Sequence, residues 1–342
     1  MIKNIDYFEK YYKYKNKYNM LKNQYSGAHV SSDIDYLDEL SFNTQLLVTT
    51  DRFMKLEWNN YQQFEDLVNS FGVEIINIKD VVEWGQDFIS KIKLSDGHKQ
   101  IFIHSRYFTE EAQTQMTDVL PNITFKKIGD IPENTNIYNL GKGGNFISLP
   151  NKINGRKAIT LKQEAELSQP FCKLGTLLCL KIYLPGFNID DHYDGDVFHL
   201  DEILTLIPTG PGVEDYNVWF YNPICSEDEE YNRALQDIFL YNYTKLQELF
   251  PIERIKLFNL HFTRDGKLKF PPIFNRVLLR RGKMFRIIFP DQIILELKQQ
   301  VIDEMENVIQ TYPHIEYYFI NTDQLHMEQG NIHCGFKSIP NI

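Results

Sequence analysis

Hydrophobic spacing splits this chain into two unlike parts. At Tyr7, Tyr11, Tyr14, Tyr18, Leu21 and Tyr25 the apolar positions alternate steps of four and three, which predicts a helix with one apolar seam. Lys10, Lys13, Lys15, Lys17 and Lys22 surround the seam, and Ser26-Gly27 ends it. So short a run seldom sustains a coiled coil by itself. The plain reading is therefore an amphipathic helix packed on its own domain or loosely attached to it. Self-association through the helix and a basic docking tail are the sharper readings.

From about Thr44 the pattern changes to alternating strands and helices. Gln45 to Thr50 reads as a buried strand, Trp58 to Phe71 as an amphipathic helix stopped by Gly72, and Val73 to Ile78 as a second strand. The same alternation returns over Gln100–Ile103, Glu110–Leu120 and Ile123–Phe125. It returns again over Asn217–Tyr221, Glu229–Leu249 and Ile255–Phe258, and finally over Met284–Phe289, Gln292–Gln310 and Ile315–Ile320. Repeated strand–helix–strand units without a sequence repeat predict an α/β protein, either a wound sheet or a ring of similar modules. No linker rich in Pro, Gly or Ser interrupts the second part. The chain thus reads as a Tyr/Lys-rich helix and linker over 1–43, followed by one domain over 44–342.

Composition narrows the classes. The 342 residues are 43% hydrophobic and 24% charged, which is ordinary for a globular protein with a large core. A formal net charge of −10 argues against a general nucleic-acid partner and suits cationic substrates. No apolar run is long enough to span a membrane, and the first residues do not resemble a signal core, so a cytoplasmic protein is expected. Cys172, Cys179, Cys225 and Cys334 form no CxxC pair, and the spacing of structural zinc modules is absent. Neither a disulfide framework nor a metal is expected.

Three segments hold the candidate chemistry. His199 and Asp201 stand two apart in Phe198-His199-Leu200-Asp201-Glu202, a spacing that in an extended strand points both side chains to one face. Taken alone, the pair is equally a solvated strand end or a metal pair. Trp84 precedes Asp87 by three positions; an indole can stack on a flat cation while a carboxylate binds it, although Trp84 could equally be core. Cys334 lies between Gly330 and Gly335, where the backbone can approach a ligand closely, and a thiol there is either a nucleophile or an inert core group.

Together, Trp84-Gly85-Gln86-Asp87, the Gly-Gly-Asn at 143–145, His199-Leu200-Asp201-Glu202, Phe270-Pro271-Pro272-Ile273-Phe274-Asn275 and Gly330-Asn331-Ile332-His333-Cys334-Gly335 resemble the catalytic domain of the peptidylarginine deiminases. These belong to the guanidine-modifying superfamily, built as five-bladed α/β propellers (the pentein fold). The segments occur in family order over roughly residues 44 to 342. The resemblance implies a catalytic set of Asp87, His199, Asp201 and Cys334. Asp87 and Asp201 would grip a guanidinium in charge-assisted hydrogen bonds, and the Cys334 thiolate would attack its carbon. His199 would protonate the departing ammonia and then activate the water that clears the thiouronium intermediate. Trp84 would flank the aliphatic part of the substrate. No metal or organic cofactor takes part in that chemistry, and the product is a ureido group, citrulline if the substrate is arginine; conversion of protein arginine to citrulline is the first reading.

Departures from the family bear on regulation and substrate. Animal members are calcium-activated through acidic ligands just after the position of Asp87; here Phe88 and Ser90 stand there, and His104-Ser105-Arg106 replaces a second calcium-binding stretch. Calcium independence is therefore expected at those sites. Asp190, His192, Asp194, Gly195 and Asp201 only partly mimic an EF-hand loop. Arg106 aligns loosely with a family substrate-binding arginine, whereas Glu328 replaces the family arginine that contacts the peptide backbone. A carboxylate at 328 favours a cation such as a free α-amino group, so a small guanidine, free arginine or agmatine, stays open as substrate beside a protein. An amidinotransferase and an inactive binding module of the same fold are the other readings.

Overall fold

The computed structural model describes residues 35–36, 39–81, 84–85, 89–93, 99–103, 109–121, 123–127, 146–153, 156–161, 177–180, 199–212, 214–263, 271–292, 294–327 and 331–340. The predicted helix over Tyr7–Tyr25 lies outside them. The described residues form an α/β structure with five small sheets. In chain order the strands are β1 (Asp35–Tyr36), β2 (Thr44–Thr50), β3 (Glu74–Ile78), β4 (Ile89–Lys93), β5 (Lys99–Ile103), β6 (Thr124–Lys127), β7 (Phe146–Ile153) and β8 (Arg156–Leu161). They continue as β9 (Leu177–Leu180), β10 (Leu204–Pro208), β11 (Tyr216–Ile224), β12 (Ile255–His261), β13 (Val277–Arg281), β14 (Met284–Pro290), β15 (Ile315–Ile320) and β16 (Lys337–Pro340).

One wiring pattern recurs in all five sheets. A central strand pairs antiparallel with one neighbour and parallel with the other: β10-β11-β12, β13-β14-β15, β16-β2-β3, β7-β8-β9, and β4-β5-β6 with β1 added at its edge. Parallel neighbours cannot be joined by a tight turn and need a crossover. Helices supply it: Tyr61–Ser70 between β2 and β3, Glu110–Val119 between β5 and β6, Glu229–Gln247 between β11 and β12, and Leu295–Thr311 between β14 and β15. Their starts follow capping chemistry, since Thr109 Oγ1 accepts the N–H of Ala112 and Asp228 Oδ1 that of Tyr231. Gly72, at φ +79°, ends the first crossover helix in a conformation that only glycine adopts cheaply.

The strands and helices predicted from Thr44 onward are present with shifted ends. Trp58 stays out of the helix that begins at Tyr61 because its indole N–H donates to the Asn321 carbonyl at 3.0 Å. Gln292 likewise precedes its helix, its buried amide donating to the carbonyls of Pro271 and Pro290. The main core is aromatic: Trp219 on β11 stacks on Phe289 of β14 and tilts against Phe258 of β12, and all three are fully buried. A second cluster gathers Phe53, Trp58, Phe64, Trp84 and Phe336 around Cys334. No helix among the described residues is long and apolar enough to cross a membrane.

Topology also fixes the position of Cys334. Strand β16 pairs antiparallel with β2, Lys337 opposite Val48, so the last strand completes the sheet that the second strand begins. Cys334 ends three residues before that strand, against the far end of the sequence.

Candidate active site

Cys334 sits in a single-turn helix, Ile332–Gly335, whose cap is Asn331; the Asn331 side chain accepts the N–H of Ile332 at 2.8 Å. The turn is clamped from the β2 side, where Thr49 Oγ1 donates to the Gly335 carbonyl at 2.9 Å. A Cβ on Gly335 would fall 2.3 Å from the Phe53 ring, and one on Gly85 would fall 2.6 Å from the Gly335 carbonyl and 2.9 Å from that of Val48. The two motif glycines are thus the points at which the Trp84 and Cys334 segments press together. Trp84 packs edge-on against Phe53, and the Arg52 guanidinium lies over its ring at 5.0 Å from the centroid.

His199 and Asp201 meet this turn from a different sheet. The sequence predicted an extended strand through both, but only His199 is extended (φ −130°, ψ 153°); Leu200–Glu202 is a turn of 3-10 helix just before β10. The correction has a local cause. Glu202 reaches back to accept the backbone N–H of His199 at 2.9 Å, which closes the turn. Leu200 is fully buried beneath it, while His199 is 7% and Asp201 4% exposed.

The two turns are joined by hydrogen bonds. Asn275, wholly buried just before β13, donates through Nδ2 to Asp201 Oδ2 at 3.3 Å and contacts Cys334 Sγ at 3.4 Å, while its Oδ1 accepts the backbone N–H of His333 at 2.9 Å. His333 Nδ1 bonds to the same Asp201 Oδ2. On the other edge of the ring, His333 Nε2 lies 3.6 Å from Glu39 Oε1. Glu39 is held in turn by Arg276 at 2.9 Å and by the Ser338 hydroxyl at 2.9 Å. Arg276 also donates to the Leu206 carbonyl at 2.9 Å. Burial by itself would depress the His333 imidazole, but the charge of Asp201 and its hydrogen bond, with Glu39 behind, outweigh it and hold the ring above its ordinary value of 6.5.

Two buried polar atoms point elsewhere. Asp201 Oδ1 and His199 Nε2 have no hydrogen-bond partner among the described residues. Leaving a buried acceptor unmatched costs about 1–3 kcal/mol, more for a charged group, and a donor supplied by a ligand would relieve that cost. A carboxylate oxygen awaiting a donor, an imidazole nitrogen and a thiol linked to that carboxylate through Asn275 can together take a planar cation and attack it.

Of the residues singled out in the sequence, Asp201 and Cys334 are brought together, His199 lies two residues from Asp201, and Trp84 packs in the cluster that holds Cys334. Asp87, Arg106 and Glu328 lie outside the described residues. Sequence reasoning gave no role to Asn275, His333, Arg276 or Glu39. Asn275-Arg276 did leave a signal, two polar residues wedged between Ile273-Phe274 and Val277-Leu278-Leu279.

No family model matches the chain, and no curated protein matches it by sequence. Solved structures do. An agmatine deiminase from C. jejuni superposes with a TM-score of 0.57 at 11% identity, over 92% of this chain and 99% of that one. A protein provisionally assigned as a peptidyl-arginine deiminase gives 0.55 at 13% identity, over 92% and 100%. The agmatine deiminase of Enterococcus faecalis gives 0.52 at 13% identity, over 90% and 96%. The chain has the fold of the guanidine-modifying pentein enzymes.

Proposed function

We propose that this protein is a cysteine-dependent hydrolase of guanidinium groups. The observation that carries the reading is Asp201: one of its oxygens is bound by His333 and Asn275, and the other, buried, has no donor among the described residues. A guanidinium N–H fits that vacancy, in a charge-assisted bond. Asp87 would hold the opposite edge of the same cation. The Cys334 thiolate, whose sulfur lies in contact with Asn275 Nδ2, adds to the guanidinium carbon, giving a tetrahedral adduct that is neutral because anion and cation have combined. His199 gives its proton to one nitrogen, which leaves as ammonia, and a thiouronium remains on Cys334. Water, losing a proton to His199, adds to that carbon, and collapse expels the thiolate and the ureido product. Water is the only co-reactant the balance needs. The five sheets with their common wiring are then the five blades of one propeller, with β1 added at the edge of one blade.

For substrate, small guanidines come first. The superposed enzymes include two named for agmatine, and Glu328 in place of an arginine suits a second cation better than a peptide carbonyl. The motif order keeps a protein arginine as the second reading. A ureido-product assay on the purified protein with agmatine, free arginine and an arginine peptide, with and without calcium and an amine acceptor, tests both. Product that disappears in Cys334→Ala supports hydrolysis and names the substrate class. A transferred amidino group would replace hydrolysis by transfer. No product from any guanidine would leave only a binding module.

A further inference from the structure

We infer that His333 is a positioning residue: bridging Glu39 and Asp201, it shares Oδ2 of Asp201 with Asn275 and so turns Oδ1 alone toward a bound guanidinium. The inference rests on the proposed guanidine site and adds a residue that the reaction itself does not need, since His333 neither attacks nor delivers a proton to substrate.

A lone aspartate can rotate about its terminal torsion, which is broad and roughly two-fold, and offer either oxygen in many directions. Here two donors approach one oxygen from different elements, Asn275 from before β13 and His333 from the nucleophile's own turn. The His333 ring cannot swing away, because its backbone N–H is tied to Asn275 Oδ1 and its far edge faces Glu39. Glu39 is itself fixed by Arg276 and Ser338. Among the described residues the charged groups around the imidazole are thus Asp201, Glu39 and, behind Glu39, Arg276. The two carboxylates favour the protonated ring against its burial, which raises the imidazole above its ordinary value. Because His333 immediately precedes Cys334, orienting Asp201 also fixes the cation relative to the sulfur.

The test is the alkylation of Cys334 by a cationic probe, 2-chloroacetamidine, against a neutral one, iodoacetamide, in full-length protein. The amidinium needs the carboxylate and the amide does not, so the ratio of second-order rates reports Asp201 without requiring turnover; Asp201→Asn sets its floor. His333→Leu is expected to lower the ratio at least tenfold. His333→Asn, which keeps a side-chain N–H near the Nδ1 position, is expected to retain it within about threefold, and Glu39→Gln to lower it by a smaller factor than His333→Leu. In turnover, the loss should fall on KM, whereas simple structural damage lowers the active fraction and hence kcat alone. An unchanged ratio in folded His333→Leu overturns the inference. So does a folded His333→Asn whose ratio falls tenfold or more, a result that can be read even where His333→Leu does not fold. Wild-type selectivity that falls in His333→Leu, with no ureido product, supports the positioning role while removing hydrolysis. A wild-type ratio no better than that of Asp201→Asn removes both.

Discussion

The two turns that build the site occupy matching places in their sheets and are held by opposite means. Leu200–Glu202 and Ile332–Gly335 each follow an extended residue, and each is separated by one residue from an outer strand that runs antiparallel to its neighbour. Their first residues, Leu200 and Ile332, are both fully buried. Their second residues, Asp201 and His333, bond to each other. The first turn is closed from within, by Glu202 on the backbone of His199. The second, besides its cap at Asn331, is fixed from far along the chain, by Thr49, Phe53 and Asn275. A self-closing turn can position a carboxylate wherever its strand goes. A turn held by distant partners positions its thiol only once those partners are in place.

Chemistry should break the pairing hardest. Cys334→Ser is expected to reduce ureido formation by about 1000-fold or more, and His199→Gln by about 100-fold to 10,000-fold, in steady-state assays of folded protein. A Cys334→Ser variant within tenfold of wild type would end the nucleophile assignment. Packing comes next. Gly335→Ala puts a methyl into the Phe53 ring and should cost about 1–3 kcal/mol in urea unfolding, with activity falling alongside. The corresponding insult to the self-closing turn is milder: Glu202→Ala removes one cap and should cost about 1 kcal/mol, with the loss of activity confined to the orientation of His199. Equal costs at Gly335 and Glu202 would erase the distinction between distant and local support. The smallest effect is that of pH. Because His333 is raised above 6.5 in the folded protein, its contribution to stability is complete below about pH 6.5 and fades as pH climbs through the raised value. The urea midpoint of wild type should therefore fall over that range more steeply than that of His333→Asn.

The same contrast explains what could be read from the chain. The His199–Glu202 turn was visible as a motif because the bond that closes it, Glu202 on the His199 N–H, is local, although the bonds of Asp201 to Asn275 and His333 were not. Its 3-10 shape was also hidden, since spacing two apart suits a strand equally well. The crossover helices were legible from periodicity and from caps such as Asp228. Strand β16 was not: Lys337-Ser338-Ile339-Pro340 is short, half polar and ends in proline, and its first two residues are buried only because β2 and Glu39 receive them. Glu39 left no trace either, because its partners Arg276, His333 and Ser338 are more than two hundred positions away. Ion pairs of that separation belong to topology, which no local window contains.

The antiparallel register of Lys337 with Val48 also has a temporal meaning. Closing a loop of that length costs chain entropy before the sheet's contacts offset it, so this pairing is expected to follow the local turns in folding. Cys334 rides on the segment that closes it. A nascent or partly folded chain would hold the Asp201 turn yet lack an assembled thiol, and the protein would acquire reactivity in the same event that completes its architecture.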